Sequence, residues 1–294
     1  MALLPMTCAK PYVPPVKCQG IKTKLVPFIL KSIAWSGEGR WIEPFLGSGV
    51  VLFNVRPSRA LACDVNPHIV ELYQQIADGE LTVSSVREHL EREGEKLRQT
   101  GPDADESYYY EVRDRFNDSG DPLDFLFLNR SCFNGMVRFN QKGEFNVPFC
   151  RKPERFRPAY VTRITNQVGA VRDITDDRDW SFKCCDWRET LKRCRPDDFV
   201  YLDPPYIGRN TGYFNTEWSE DEARELAQFT RQLPCGFALS MWKKNKYREN
   251  DHIAEDWDWA VEKTQSHFYH LGSTEELRNS MTEALLISPG SEAN

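Results

Sequence analysis

Apolar residues come along this chain in short dense runs separated by charged stretches, and that spacing predicts an alternation of strands and helices. Phe199-Val200-Tyr201-Leu202 is apolar at every position. It is too short for a buried helix and suits a strand covered on both faces. Ala60-Leu61-Ala62-Cys63, Phe237-Ala238-Leu239-Ser240 and Glu283-Ala284-Leu285-Leu286-Ile287 read the same way, and Phe182-Lys183-Cys184-Cys185 reads as a strand end. Trp41-Ile42-Glu43 makes a short strand that runs into the turn Gly47-Ser48-Gly49 and then a helix start. Helical stretches are expected up to Leu30, from Pro67 through Leu72 to Ile76, and over the charged run Val83 to Leu97. A capping box, Ser219-Glu220-Asp221-Glu222, opens another that reaches about Leu233. Val168 to Trp180 reads as an acidic, loop-like linker. Strands alternating with helices predict an α/β fold.

Composition narrows the class. The chain has 294 residues, 40% hydrophobic and 28% charged, ordinary values for a globular enzyme of one large domain or two modest ones. No apolar run approaches the length of a membrane span, and Met1 to Lys10 lacks the basic and long apolar regions of a signal peptide. Nine cysteines, with no C-x-x-C pair, argue against zinc and against a disulfide framework, so we read them as reduced thiols in a cytoplasmic compartment, with no metal. A net charge of −6 gives no overall sign of nucleic-acid binding; such a role must rest on a local patch.

One patch qualifies. Between Asn129 and Thr165 there are eight Lys or Arg against two Glu, interleaved with Phe133, Phe139, Phe145, Phe149 and Phe156. Basic and aromatic residues around the Asn134-Gly135 turn suit a hairpin laid along nucleic acid. A solvated basic face over a small aromatic core is the competing reading.

Candidate chemistry sits at strand ends. Asp203-Pro204-Pro205-Tyr206 follows the most apolar strand. Its two prolines remove backbone donors and stiffen the loop, leaving a carboxylate and a carbonyl as fixed acceptors beside an aromatic face. That set suits a planar amine. Gly47-Ser48-Gly49 permits close approach of a ligand to the backbone. Asp64, at the tip of the next strand, can take the hydroxyls of a ribose, so together they point to a nucleoside-type ligand. The full G-x-G-x-x-G fingerprint is absent, which weakens a nicotinamide dehydrogenase.

Lys17 to Lys22, Glu43 to Gly49, Asp64-Val65-Asn66-Pro67, Leu128 to Cys150 and Asp203 to Tyr206 together resemble the Dam-type, D12 class of DNA adenine-N6 methyltransferases, in that family's motif order. Similarity is greatest to the EcoRV type of modification methylase, including Gln19 to Lys24 and Asp203 to Arg209. The resemblance implies a Rossmann-like methyltransferase sheet with an inserted, mainly helical target-recognition domain bearing a β-hairpin. The division would be 1–67 and 167–294 for the catalytic domain and 68–166 for the insertion. It implies S-adenosyl-L-methionine, lined by Cys18, Lys22, Glu43, Phe45, Gly47, Gly49, Asp64, Asp186, Trp187 and Asp203. It implies catalysis by Asp203, Pro204, Pro205 and Tyr206, and DNA contact by Lys17, Arg130, Phe133, Asn134, Arg138, Asn140, Lys142 and Arg151. The family usually carries Trp where this chain has Cys18, and a thiol cannot supply that aromatic contact.

The expected activity is methyl transfer to a flipped adenine in a short palindromic duplex site, GATC- or GATATC-like. The protein would be a monomer, the modification half of a restriction-modification system. A housekeeping or phage Dam-like methylase, an RNA or free-base adenine methyltransferase and a non-catalytic DNA-binding regulator are the alternatives.

Overall fold

Strand alternation sorts the core into two layers on either side of one sheet. The computed structural model describes residues 3–99, 107–206, 214, 218–268 and 280–294. Its strands are β1 (Trp41–Glu43), β2 (Arg59–Asp64), β3 (Asp179–Cys184), β4 (Phe199–Leu202), β5 (Gly236–Lys244), β6 (Val261–Phe268) and β7 (Ser280–Ile287). They form a seven-stranded sheet in the order β3-β2-β1-β4-β5-β7-β6. β3, β2, β1, β4 and β5 are mutually parallel, and β7 runs antiparallel between β5 and β6. This is the Rossmann-like α/β sheet expected from the sequence.

The helices are α1 (Val26–Ser32), α2 (Leu52–Val55), α3 (Pro67–Asp78), α4 (Val83–Gln99), α5 (Ser107–Ser119), α6 (Pro122–Ser131), α7 (Pro158–Thr175), α8 (Trp187–Leu191), α9 (Glu220–Thr230) and α10 (His252–Asp256). All four residues of β4 are buried. Phe199 and Tyr201 face the layer built with α1 to α7, whereas Val200 and Leu202 face α8, α9 and α10. β2 divides likewise, Ala60 and Ala62 to the first layer, Leu61 and Cys63 to the second. The first core continues without a break from the sheet into α4 to α7, through Leu90, Tyr109, Phe127 and Val161. Among the described residues no helix is long and apolar enough to cross a membrane.

Two expectations are corrected. Residues 168–175 belong to α7, not to a loop. Val161, Ile164, Val168 and Val171 recur at three and four residues and are buried against α3 and α4, which outweighs the acidic end of the segment. The domain boundary expected at 166/167 therefore falls inside a helix. The segment 132–150 is not a regular hairpin turning at Asn134-Gly135. Asn134 and Gly135 lie in a tight 3-10 turn, and isolated antiparallel bridges join Cys132 to Phe149 and Phe139 to Phe145. The reversal lies at 140–144, where Gly143 N–H donates to the Asn140 carbonyl at 2.9 Å.

Candidate active site

Strand order reverses between β1 and β4: β2 and β3 lie to one side, β5 to the other. In an open parallel sheet that switch point leaves a crevice at the carboxyl ends of the strands. The β1 end is Glu43, followed by the turn to Gly49; the β4 end is Asp203.

The glycine turn is held from β2. Gly47 N–H donates to Asp64 Oδ2 at 2.8 Å and Leu46 N–H to the Cys63 carbonyl at 2.9 Å. Gly47 and Gly49 have φ of 50° and 69°, the left-handed region that glycine enters without strain. A Cβ on Gly47 would meet no atom within 4 Å, so the turn faces open space there. Asp64 Oδ1 accepts from Asn66 N–H at 2.9 Å, so both its oxygens shape loops.

Asp203 is joined to the N-terminal loop. Lys22 Nζ lies 2.6 Å from Asp203 Oδ1 and 5.2 Å from the centre of the Tyr206 ring. It also donates to the Gly20 carbonyl at 3.0 Å. Near a terminus a lone lysine is ordinarily solvated, yet this one is 3% exposed. Burial alone would lower its pKa; Asp203 together with Tyr206, Tyr201 and Glu283 outweighs that and holds it well above the usual range. Burial raises the Asp203 carboxyl above its ordinary value, with Lys22 opposing. Tyr206 donates its hydroxyl to Glu283 Oε2 at 3.0 Å, which fixes the ring from β7.

Two further expected groups share this crevice. The Cys18 thiol is pushed up by burial and by the charges of Asp64 and Asp203, and stays neutral. The Glu43 carboxyl is buried and raised to about 8 chiefly by desolvation, with Trp41 Nε1 donating to its Oε1 at 2.8 Å. Phe45 meets Trp218 edge-on, with ring centres 5.5 Å apart. Asp186, at the end of β3, caps α8 by accepting from Arg188 N–H at 2.8 Å. Trp187 is placed otherwise than expected. Its ring is buried in the second core layer against Phe229 and covered by the Arg188 guanidinium, so it presents no face to the crevice.

The basic segment divides into exposed and buried members. Phe133 is 51% exposed, and Asn134, Lys142 and Arg151 are also at the surface. Arg130 is corrected: it is buried, donates through Nη2 to Gln167 Oε1 at 2.8 Å and to the Pro15 carbonyl, and is pushed down to about 10 by burial and neighbouring arginines. It braces the core and cannot reach a phosphate. Arg138 spends its Nε–Nη2 edge on Asn146, at 2.8 and 2.9 Å. Asn140 is a turn former, with Oδ1 accepting from Lys142 and Glu144 N–H and Nδ2 donating to Glu144. Lys17 packs on Gly135, where a Cβ would come within 2.7 Å of its Cδ, and burial with Arg130, Arg155 and Arg163 lowers it to about 8.

Sequence reasoning did not single out Asn129, Asn117 or His68. Buried Asn129 exchanges hydrogen bonds with the Lys17 backbone, 2.8 Å to its N–H and 2.9 Å to its carbonyl. Asn117 does the same for Phe145, at 2.7 and 3.3 Å. His68, beside the Asp64 loop, stacks on Phe139 at 5.2 Å. Asn129 closes the apolar run Phe125-Leu126-Phe127-Leu128, a signal that could have marked it, whereas Asn117 stands in a polar run and carried none.

Residues 19–271 match the family described as D12 class N6 adenine-specific DNA methyltransferase. Over 229 residues the chain is 31% identical to a DNA adenine methylase of Haemophilus influenzae, covering 75% of this chain and 74% of that one. It is 28% identical over 242 residues to the Type II methyltransferase M.MjaIII of Methanocaldococcus jannaschii, 75% and 80% of the two chains. It is 30% identical over 219 residues to the Retron Ec67 DNA adenine methylase of Escherichia coli, 72% and 70%. With a strand-end Asp-Pro-Pro-Tyr, a glycine turn at the switch point and this extent of similarity, the chain belongs to the D12 class of N6 adenine-specific DNA methyltransferases.

Proposed function

We propose that the protein methylates N6 of an adenine flipped out of duplex DNA, with S-adenosylmethionine as donor and the Asp203–Tyr206 loop as the reaction centre. The observation that carries this is the Lys22–Asp203 pair at the carboxyl end of β4, beside the open Gly47–Gly49 turn. When bound, S-adenosylmethionine supplies an electrophilic methyl group on a cationic sulfur. The donor set fits it: the glycine turn offers uncovered backbone, and the carboxylates of Asp64 and Asp203 favour a cation in the crevice.

Adenine N6 is a weak nucleophile because its lone pair is delocalised into the ring. Asp203 and the Pro204 carbonyl accept its two hydrogens and favour a more pyramidal, more available lone pair. Lys22 keeps Asp203 ionised against its burial, and Glu283 holds the Tyr206 ring ready to stack on the base. Flipping costs a few kcal/mol, which the stacking partly offsets. Holding both reactants in line supplies much of the acceleration.

Lys17, Phe133, Asn134, Arg138, Lys142 and Arg151 are the proposed DNA-facing set. A base contact by Arg138 would use the end of the guanidinium left by Asn146. The target would be a short palindrome, GATC- or GATATC-like, and the enzyme a cytoplasmic monomer. A Type II methyltransferase among the relatives favours a restriction-modification role, and the DNA adenine methylases favour a stand-alone one. The test is transfer of labelled methyl to duplex DNA. Asp203→Asn is expected to lower turnover about a hundredfold or more while DNA is still bound. Wild-type turnover in that variant would remove Asp203 from the chemistry.

A further inference from the structure

Lys243-Lys244-Asn245-Lys246-Tyr247-Arg248 carries four cations in six residues and no acid, in a chain whose net charge is −6. Lys243 is taken by Glu262. Lys244, Lys246, Tyr247 and Arg248 are exposed, Tyr247 at 68%. They stand on a backbone-fixed turn. Asn245 Oδ1 accepts from Tyr247 and Arg248 N–H at 2.8 and 3.1 Å, and the Lys243 carbonyl accepts from Asn250 N–H at 2.8 Å. The Arg248 guanidinium is further steadied over the Trp242 ring at 5.0 Å.

Position gives this turn a use. β5 lies parallel to β4 with Leu239 opposite Leu202, so the turn after β5 and the Asp203 loop leave the sheet at the same edge. A cavity of about 390 Å³ lies between them, bounded by Pro204, Pro205 and Tyr206 on one side and by Trp242 and Arg248 on the other. Its wall also carries Glu249, Asp251 and Asp256, which repel phosphate, so an anion would be held on the turn and not within the cavity. A nucleotide rotated out of a duplex carries its flanking phosphates with it, and they must lie at the mouth of whatever holds the base.

We propose that the 244–248 turn is a phosphate clamp for the DNA strand that carries the target adenine, gripping the backbone beside the flipped nucleotide. It rests on the Asp203 loop being where that adenine is held. The clamp is separate from segment 132–150, which packs with α5 and α6 on the other layer of the sheet, and it carries no base preference of its own.

The test compares wild-type protein with Lys244→Ala/Lys246→Ala/Arg248→Ala and with Lys246→Ala alone, all confirmed by thermal unfolding to be folded. The probe is a duplex that the wild-type enzyme methylates, with one-base-pair variants of it. Across a salt titration the slope of log affinity against log salt should shrink by about 0.9 for each phosphate no longer neutralised, and by equal amounts on every duplex. A neutral methylphosphonate on either side of the target adenine should weaken wild-type binding and leave the triple variant indifferent. Unchanged affinity and slope in the triple variant would overturn the clamp. A methylphosphonate that weakens the triple variant as much as wild type would overturn its placement. Both readouts are of binding, so a failure here is distinct from a failure of Asp203→Asn to lose turnover.

Discussion

Replacing Lys22 by Met removes the one cation that Asp203 is shown to pair with and leaves a carboxylate in a crevice it shares with Glu43. At an effective dielectric near 20, unit charges about 4 Å apart attract by about 4 kcal/mol. Breaking a buried pair typically costs about 3–5 kcal/mol. The Asp203 side chain is 22% exposed, so water restores part of the loss and the low end, about 3 kcal/mol, is the figure to use. At about 1.4 kcal/mol per tenfold change in ionisation, that moves the acid limb of the pH–rate profile upward by about two pH units. The variant should lose about tenfold in kcat for each pH unit below its new limb and recover at alkaline pH. The assay is methyl transfer at saturating S-adenosylmethionine and DNA across a pH series. Thermal unfolding gives a second readout. Lys22→Met should melt lower than wild type above the ordinary carboxyl range, and Lys22→Met/Asp203→Asn should recover part of the loss because no unpaired charge is left. A Lys22→Met enzyme with wild-type kcat and an unmoved acid limb would refute the idea that Lys22 sets the charge of Asp203.

Glu43, raised to about 8, costs the folded state stability as pH climbs from its ordinary 4.5 through that value. Glu43→Gln keeps the Trp41 hydrogen bond, so it should melt higher than wild type above pH 8 and equally below 4.5, as scanning calorimetry would show. Glu93 is buried among Tyr108, Arg92 and Arg115, whose hydrogen bonds outweigh burial and lower it to about 2. Its stabilisation is present above the ordinary carboxyl range and lost as pH falls towards 2; Glu93→Gln should flatten that part of the acid-unfolding curve. Arg130→Met should destabilise by about 1–3 kcal/mol in denaturant, through the orphaned Pro15 carbonyl and Gln167, and leave the salt dependence of DNA binding unchanged. Gly135→Ala forces a left-handed residue against Lys17, at a cost of about 1–2 kcal/mol. Calorimetry should show weaker DNA binding and unaltered S-adenosylmethionine binding.

The sequence alone determined β1, β2, β4, β5 and β7, because their signal is local, whereas β3 was legible only at its end and the largely polar β6 was decided by its pairing with β7. β4 is apolar at all four positions and β2 nearly so, and an all-apolar run of that length has no stable place except inside a sheet. It also placed the acids at the strand tips and the glycine turn between them, since both follow from where a run stops. Helix α7 was written in its period of three and four but masked by an acidic, polar end, so only its packing on α3 and α4 decided it. Partner choice was out of reach. Lys22 and Asp203 are 181 residues apart, and a lysine near a terminus reads as solvated until the chain folds it against a buried carboxylate. Arg130 and Lys142 look alike as members of one basic run, yet the first is sealed in the core by Pro15 and Gln167 and the second stands on an exposed turn. The type of each charged side chain was legible from the start. Whether that charge faces water, a phosphate or another charge was decided by tertiary packing, because burial and pairing are set by chain segments distant in sequence.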